Sequence, residues 1–254
     1  MNINFNPGTN LKTASFAFKG IQKDRHITPT FSRKTTGDSF VKKCDTVLQA
    51  SHAAALMELE AKSMKYKMDA KVGYIVELFN NSGVDGSGKT VAAIANSGTK
   101  NEKVMGEVLE DHTLRISKFK NGTISSINEY TGAGRKNEII FYEGKPVLYL
   151  ENVVQHPNER TTIARCLNIE YGEIASYKKG ITDEQRTRTV DKSLKYSNGK
   201  PCVYGEGYEC GRLDGSIKIA KELWLNSRSG KPVIYQENYT IADGKETVGN
   251  KVYL

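Results

Sequence analysis

Three segments of this chain align without gaps: GKPVLYLEN from Gly144, GKPCVYGEG from Gly199 and GKPVIYQEN from Gly230. Each reads Gly-Lys-Pro, an apolar pair, Tyr, any residue, Glu. FKNGTISSINEY around Gly122 and IEYGEIASYKKG around Gly172 are weaker relatives, and the five glycines step by 22, 28, 27 and 31 residues. Self-similarity at such a period marks a repeated supersecondary unit and rules out most folds a chain of this length could adopt.

The unit reads as a β-hairpin. An apolar or aromatic run precedes the glycine (EIIFYE, KSLKYSN, ELWLNS). Gly supplies the positive φ of a tight turn. Pro lacks a backbone donor and belongs at the first residue of a strand or at an edge. The outgoing strand alternates faces. One face then carries Val147, Tyr149 and Glu151, with equivalents Cys202, Tyr204, Glu206 and Val233, Tyr235, Glu237. The other carries Leu148, Val203 and Ile234. Five units predict about ten antiparallel strands in a meander.

Upstream, Asp38 to Val72 contains neither Gly nor Pro. Asp38 or Ser39 is a suitable N-cap. Val41, Cys44, Leu48, Ala55 and Leu59 recur at helical spacing, widened by Ala53, Ala54, Leu56, Met57, Met64 and Met68. A Met and Ala stripe of this kind is core packing rather than a cofactor box. Gly73 is a natural stop, and YIVELF (Tyr74–Phe79) reads as a strand or as the last helical turns.

These parts predict an α+β fold: a long N-terminal helix packed on a C-terminal antiparallel β-meander of repeated hairpins, flat or curled. The expected division is a disordered basic arm at 1–37, the helix at 38–80, a Gly-rich loop or hairpin connection at 81–111, and the sheet at 112–254. Leu148, Val203 and Ile234 are expected to lie against the helix, leaving Tyr149, Tyr204, Tyr235, Glu151, Glu206 and Glu237 as a candidate binding face. The opposite phase differs by one residue.

The net charge of +8 is concentrated at the start. Residues 1–37 hold six bases and one acid, a composition that suits a disordered arm or a targeting segment. The folded part has no basic cluster interleaved with aromatics, so no nucleic-acid partner is expected. No run of eighteen apolar residues is present, so no membrane span is expected. Cys44, Cys166, Cys202 and Cys210 form no CxxC pair, and the four histidines form no ligand spacing. No metal and no cofactor are expected. Scattered thiols favour a cytoplasmic setting.

The NGK and GKP turns, with tyrosines at fixed offsets over about Arg115 to Leu254, resemble MORN-variant β-hairpin repeat proteins. That resemblance implies a repeat scaffold for binding rather than a catalyst. A second string, GVDGSGKT (Gly83–Thr90), fits the phosphate-loop spacing and resembles the loop of thymidylate-kinase-like enzymes. The kinase resemblance implies amides around phosphates, with Gly83, Gly88, Lys89 and Thr90 holding a nucleotide. A phosphate loop needs a buried strand leading in and a helix leading out, and the flanking residues offer neither. Three functions stay open: an interaction or scaffold protein, a carrier of an apolar small molecule between helix and sheet, and a nucleotide kinase. The partner is correspondingly a protein, an apolar ligand or a nucleotide.

Overall fold

The computed structural model describes residues 37–132, 134 and 136–254, with side chains from Cys44 onward. The predicted arm therefore lies outside the described residues, Gly37 excepted. One helix, α1 (Gly37–Asn80), is followed only by strands. These are β1 (Ala92–Asn96), β2 (Glu102–Val108), β3 (Leu114–Lys120), β4 (Thr123–Tyr130), β5 (Lys136–Tyr142), β6 (Lys145–Gln155) and β7 (Thr161–Glu170). After them come β8 (Glu173–Asp183), β9 (Thr187–Ser197), β10 (Lys200–Gly211), β11 (Ile217–Leu225), β12 (Pro232–Ala242), β13 (Lys245–Thr247) and β14 (Asn250–Tyr253). All pairings are antiparallel in a single open sheet; β1 to β13 each pair with the next, and β14 pairs with β12. β13 and β14 lie end to end beside β12, and the break between them falls opposite Asn238. The fold is α+β. The sheet begins at Ala92 rather than His112, so it has fourteen strands rather than about ten.

The five glycines found in the sequence all sit at one end of the sheet. Four of them close two-residue turns in which both residues are left-handed: Asn121-Gly122, Glu143-Gly144, Tyr171-Gly172 and Asn198-Gly199. These are the primed turns whose twist suits a hairpin. The fifth, Gly230 (φ 69°), closes the longer β11–β12 loop by donating to Asn226 O at 2.7 Å.

Each of these hairpins carries one extra residue on its outgoing strand: Ser125, Val147, Ala175, Cys202 and Val233. Pro146, Pro201 and Pro232 stand immediately before such a bulge, where regular pairing is interrupted and a missing donor is tolerated.

The bulge places the residues two and five positions after the glycine on the same face, where plain alternation would separate them. Ile124 and Ile127, and Ile174 and Tyr177, are accordingly buried together under the helix. Tyr149, Tyr204 and Tyr235 point the same way and are buried in the core with the helix. The expected phase is thereby corrected. The Tyr and Glu residues do share a face, but it is the helix face; Leu148, Val203 and Ile234 lie on the other side. A Tyr ring covers more apolar area than Val or Ile, and its hydroxyl reaches past the helix to a polar partner.

A second left-handed position recurs eight residues after four of the glycines: Asn152, Gly180, Gly207 and Asn238, with φ of 53°, 60°, 62° and 53°. It switches the strand's phase. Lys179 reaches the helix, whereas Ile181, across Gly180, packs with Cys166 and Val190. Leu148 and Leu150 alternate with Tyr149 and join that second cluster, so it lies on the face away from the helix.

The helix runs across the strands. Phe79 stacks on Phe119 of β3 at 3.6 Å, Lys71 pairs with Glu129 of β4, and Glu60 meets Tyr177 and Lys179 of β8. Its buried positions are Val47, Ala50, Ala54, Met57, Ala61, Met64, Met68, Ile75 and Leu78. The expected stripe divides: Ala54, Met57, Met64 and Met68 are buried as expected, Cys44, Leu48, Ala55, Leu56 and Leu59 lie on the exposed side, and the Val41 side chain lies outside the described residues. Small Ala and pliant Met face the sheet because the Tyr rings occupy the space there. Helix α1 passes through Gly73 and ends in a Schellman motif: Ser82 N–H donates to Phe79 O at 3.1 Å and Gly83 N–H to Leu78 O at 2.8 Å. No helix among the described residues is long and apolar enough to cross a membrane.

Candidate functional site

The predicted face residues form a ladder of hydroxyls and charges beside the helix. Tyr235 Oη donates to Glu237 at 2.8 Å, Tyr204 Oη donates to Glu206, and Tyr149 bonds Glu151. Burial first, then the adjacent carboxylate, push all three phenols far up, so they stay neutral donors. On β8 the equivalent of the Glu is Lys179, and the helix supplies the acid: Tyr177 Oη and Lys179 Nζ each donate to Glu60 at 3.0 Å.

The pairing register extends this row across the sheet. Glu107, Arg115, Glu129 and Asn137 are successive neighbours on β2 to β5. Glu151, Arg165, Lys179, Lys192, Glu206, Lys221, Glu237 and Asn250 continue it from β6 to β14. Contacts tighten toward β2: Arg115 holds Glu107 at 2.8 Å and Glu129 at 2.9 Å, while Lys71 holds Glu129 at 2.7 Å. Burial would raise the Glu129 pKa, but Lys71, Asn137 and Arg115 outweigh it and hold the carboxyl below its usual range. Within the ladder, acids are matched by bases or hydroxyls, an arrangement that seals the edge of the core. Its order was hidden in the sequence, because register decides which Glu meets which base.

The string GVDGSGKT forms a hairpin loop. A helix leads into Gly83, and the following VAAIA contributes β1 rather than a helix. Val84 bridges Thr90, and Asp85 N–H donates to Lys89 O at 2.9 Å. The Asp85 carboxylate accepts from the Ser87 N–H at 2.9 Å, the Ser87 hydroxyl at 2.7 Å and the Lys89 N–H at 3.0 Å. An acid of the loop itself thus fills the amide cradle that a phosphate would need. The Ser87 hydroxyl above all, then the Lys89 amide, keep this carboxyl ionised. Gly83 (φ 84°) serves the helix stop, and a Cβ there would lie 2.3 Å from Ala92 O. Gly88, Lys89 and Thr90 are exposed.

A cleft of about 270 Å³ opens between the helix and β6–β7, lined by Leu59, Glu60, Ser63, Met64, Lys67, Glu151 and Arg165. Four of those seven are charged, which suits a solvated notch better than an apolar ligand. Among the described residues no group of His, Cys, Asp and Glu could hold a metal. The four cysteines are free thiols, and burial pushes that of Cys166 up, away from the reactive thiolate.

The sheet face away from the helix carries one feature that sequence reasoning passed over. Val203, Trp224, Ile234 and Tyr253 are successive register neighbours on β10, β11, β12 and β14. Val203 precedes Tyr204, Trp224 follows Leu223 and Ile234 precedes Tyr235; all three neighbours are buried under the helix, so the row lies on the face away from it. Trp224 Nε1 donates to Glu222 at 2.8 Å, and Gln236 Nε2 donates to the same carboxylate at 2.5 Å. Glu222 and Gln236 are buried and fix the indole, whereas Tyr253 and Leu254 stand exposed beside it. The motif ELWL revealed a strand, but only the register assembles the row. Neither a protein-family profile nor a curated protein matches this chain.

Proposed function

We propose that this chain is a non-catalytic interaction scaffold of β-hairpin repeats, akin to MORN-variant proteins. Its working surface is the sheet face turned away from the helix, and the partner is a protein. The observation that carries this reading is the in-register row Val203, Trp224, Ile234 and Tyr253, with the indole tethered by Glu222 two residues back on the same strand face. A half-buried aromatic anchor held in place and flanked by half-buried apolar neighbours and the exposed Tyr253 is the chemistry of a binding hot spot. The four like turns and the five equivalent bulges support a repeat origin for the sheet. The tyrosines serve as internal supports, which moves the binding surface to the opposite face.

The carrier reading requires apolar space between helix and sheet. Met64, Met68, Tyr177 and Tyr204 fill that space. The kinase reading requires open amides in the Gly83–Thr90 loop, and Asp85 occupies them.

The test uses a photo-crosslinking amino acid at Ile234, with a control at Lys145 on the turn edge, in cells that make the protein natively. The scaffold reading expects discrete protein adducts from position 234 that disappear with Trp224→Ala. Identical adducts from both positions, or adducts untouched by Trp224→Ala, refute the assignment of this face.

A further inference from the structure

Helix α1 is apolar on two opposite sides. The sheet-facing positions Val47 to Met68 step by three and four residues. The outward side carries Cys44, Leu48, Ala55, Leu59, Tyr66 and Ala70, stepping by four and seven. That is an eleven-residue period, which follows one line along a helix with little drift. Leu48 is 69% exposed, Leu59 64% and Tyr66 76%. An amphipathic helix already docked on a sheet would normally present polar residues there.

We infer that this stripe is where two copies of the chain pair, helix against antiparallel helix. Read in reverse, the stripe complements itself. A two-fold axis near residue 57 sets Cys44 against Ala70, Leu48 against Tyr66 and Ala55 against Leu59 of the other copy. The central layers thus pair small Ala55 with larger Leu59 and the outermost pair Cys44 with Ala70, while Leu48 packs against the Tyr66 ring. Charge agrees with the direction. Asp45 and Lys67 lie on the same flank of the stripe, and neither has an ion-pair partner among the described residues. The antiparallel arrangement brings each near the other's opposite charge, twice per dimer. A parallel pair would put the two copies of each on opposite sides of the seam and keep Asp45 about 33 Å along the axis from Lys67, so neither would meet its opposite charge.

The stripe is about 40 Å long on a rod about 10 Å across, a footprint of roughly 400 Å² per copy. Interfaces of that size are reversible rather than obligate. The pairing uses a different surface from the sheet face proposed above and stands or falls apart from it.

Sedimentation velocity on the full chain, from low to high micromolar, tests it. The mass is expected to rise from the monomer's 28.2 kDa toward twice that value. Leu48→Glu combined with Leu59→Glu is expected to weaken association at least tenfold with unchanged circular dichroism, since both side chains face solvent. Asp45→Lys is expected to weaken it, and Asp45→Lys with Lys67→Asp to restore it. Under mild oxidation, Ala70→Cys is expected to crosslink through Cys44 of the other copy. A chain that stays monomeric at every concentration overturns the proposal, whether the stripe is then bare or covered by residues 1–36. So does a dimer indifferent to the Leu48 and Leu59 changes, one in which Cys44 crosslinks to Cys44, or one not restored by the double charge reversal.

Discussion

Gly207→Ala probes the phase switch within the strands. Gly207 has φ 62°, and a Cβ added there would lie 2.8 Å from the Cβ of Ala220 on the neighbouring strand. Two costs combine. The left-handed backbone strains any residue with a Cβ by about 1 kcal/mol. Overpacking against a methyl group that cannot rotate away adds about 1–3 kcal/mol. The sum of about 2–4 kcal/mol corresponds to a fall in melting temperature of roughly 4–16 °C for a chain this size. Ala220→Gly removes the methyl group but leaves φ unchanged. The double variant should therefore recover the steric part and keep a deficit of about 1 kcal/mol plus the intrinsic cost of glycine in a strand. Urea unfolding of the wild type, both single variants and the double variant closes the cycle. A Gly207→Ala cost below about 0.5 kcal/mol, or no coupling with Ala220→Gly, would refute the claim that a left-handed residue reverses the strand here.

Two further outcomes follow from the ladder and the loop. Glu129 titrates below its usual range in the folded chain, so the folded state binds fewer protons as pH falls; its stabilisation is complete above about pH 4.3 and lost as pH drops through the lower folded value. Stability from urea melts should decline from about pH 5 to 3, and Glu129→Gln should flatten that slope by up to about 1.4 kcal/mol per pH unit; equal slopes would exclude Glu129 as the source. Magnesium ATP should give no saturable heat in calorimetry, because Asp85 fills the Gly83–Thr90 amides, and micromolar binding abolished by Lys89→Ala would reverse that assignment.

What the sequence disclosed was local. A glycine that needs positive φ shows itself through the turn chemistry beside it, so Gly122, Gly144, Gly172, Gly199 and Gly230 all mark turns at one end of the sheet. The side on which Tyr149 lies could not be read this way. Alternation says that Tyr149 and Leu148 differ, not which of them meets the helix, and the bulge at Val147 breaks the count between turn and tyrosine. The helix misled for a related reason. Its outward stripe contains leucines and its inward stripe alanines and methionines, so hydrophobicity merged the two into one broad stripe centred on the wrong residues. The ladder and the Trp224 row stayed hidden because they join residues on successive strands, and strand register is a tertiary quantity.

Because helix α1 lies across the strands, it also measures them. From Phe79 at β3 to Glu60 at β8 the helix advances about 28 Å, while five strand spacings span about 24 Å. Each strand therefore meets roughly one inward step of the three-four pattern, about 5 Å of rise. A chain that gained one hairpin by duplication would widen its sheet by about 10 Å and leave two strands without cover. Covering them takes about one added heptad in the helix. Growth of this fold thus requires two coordinated insertions far apart in sequence, about 27 residues in the sheet and seven in the helix, a coupling that holds the number of hairpins to the length of their spine.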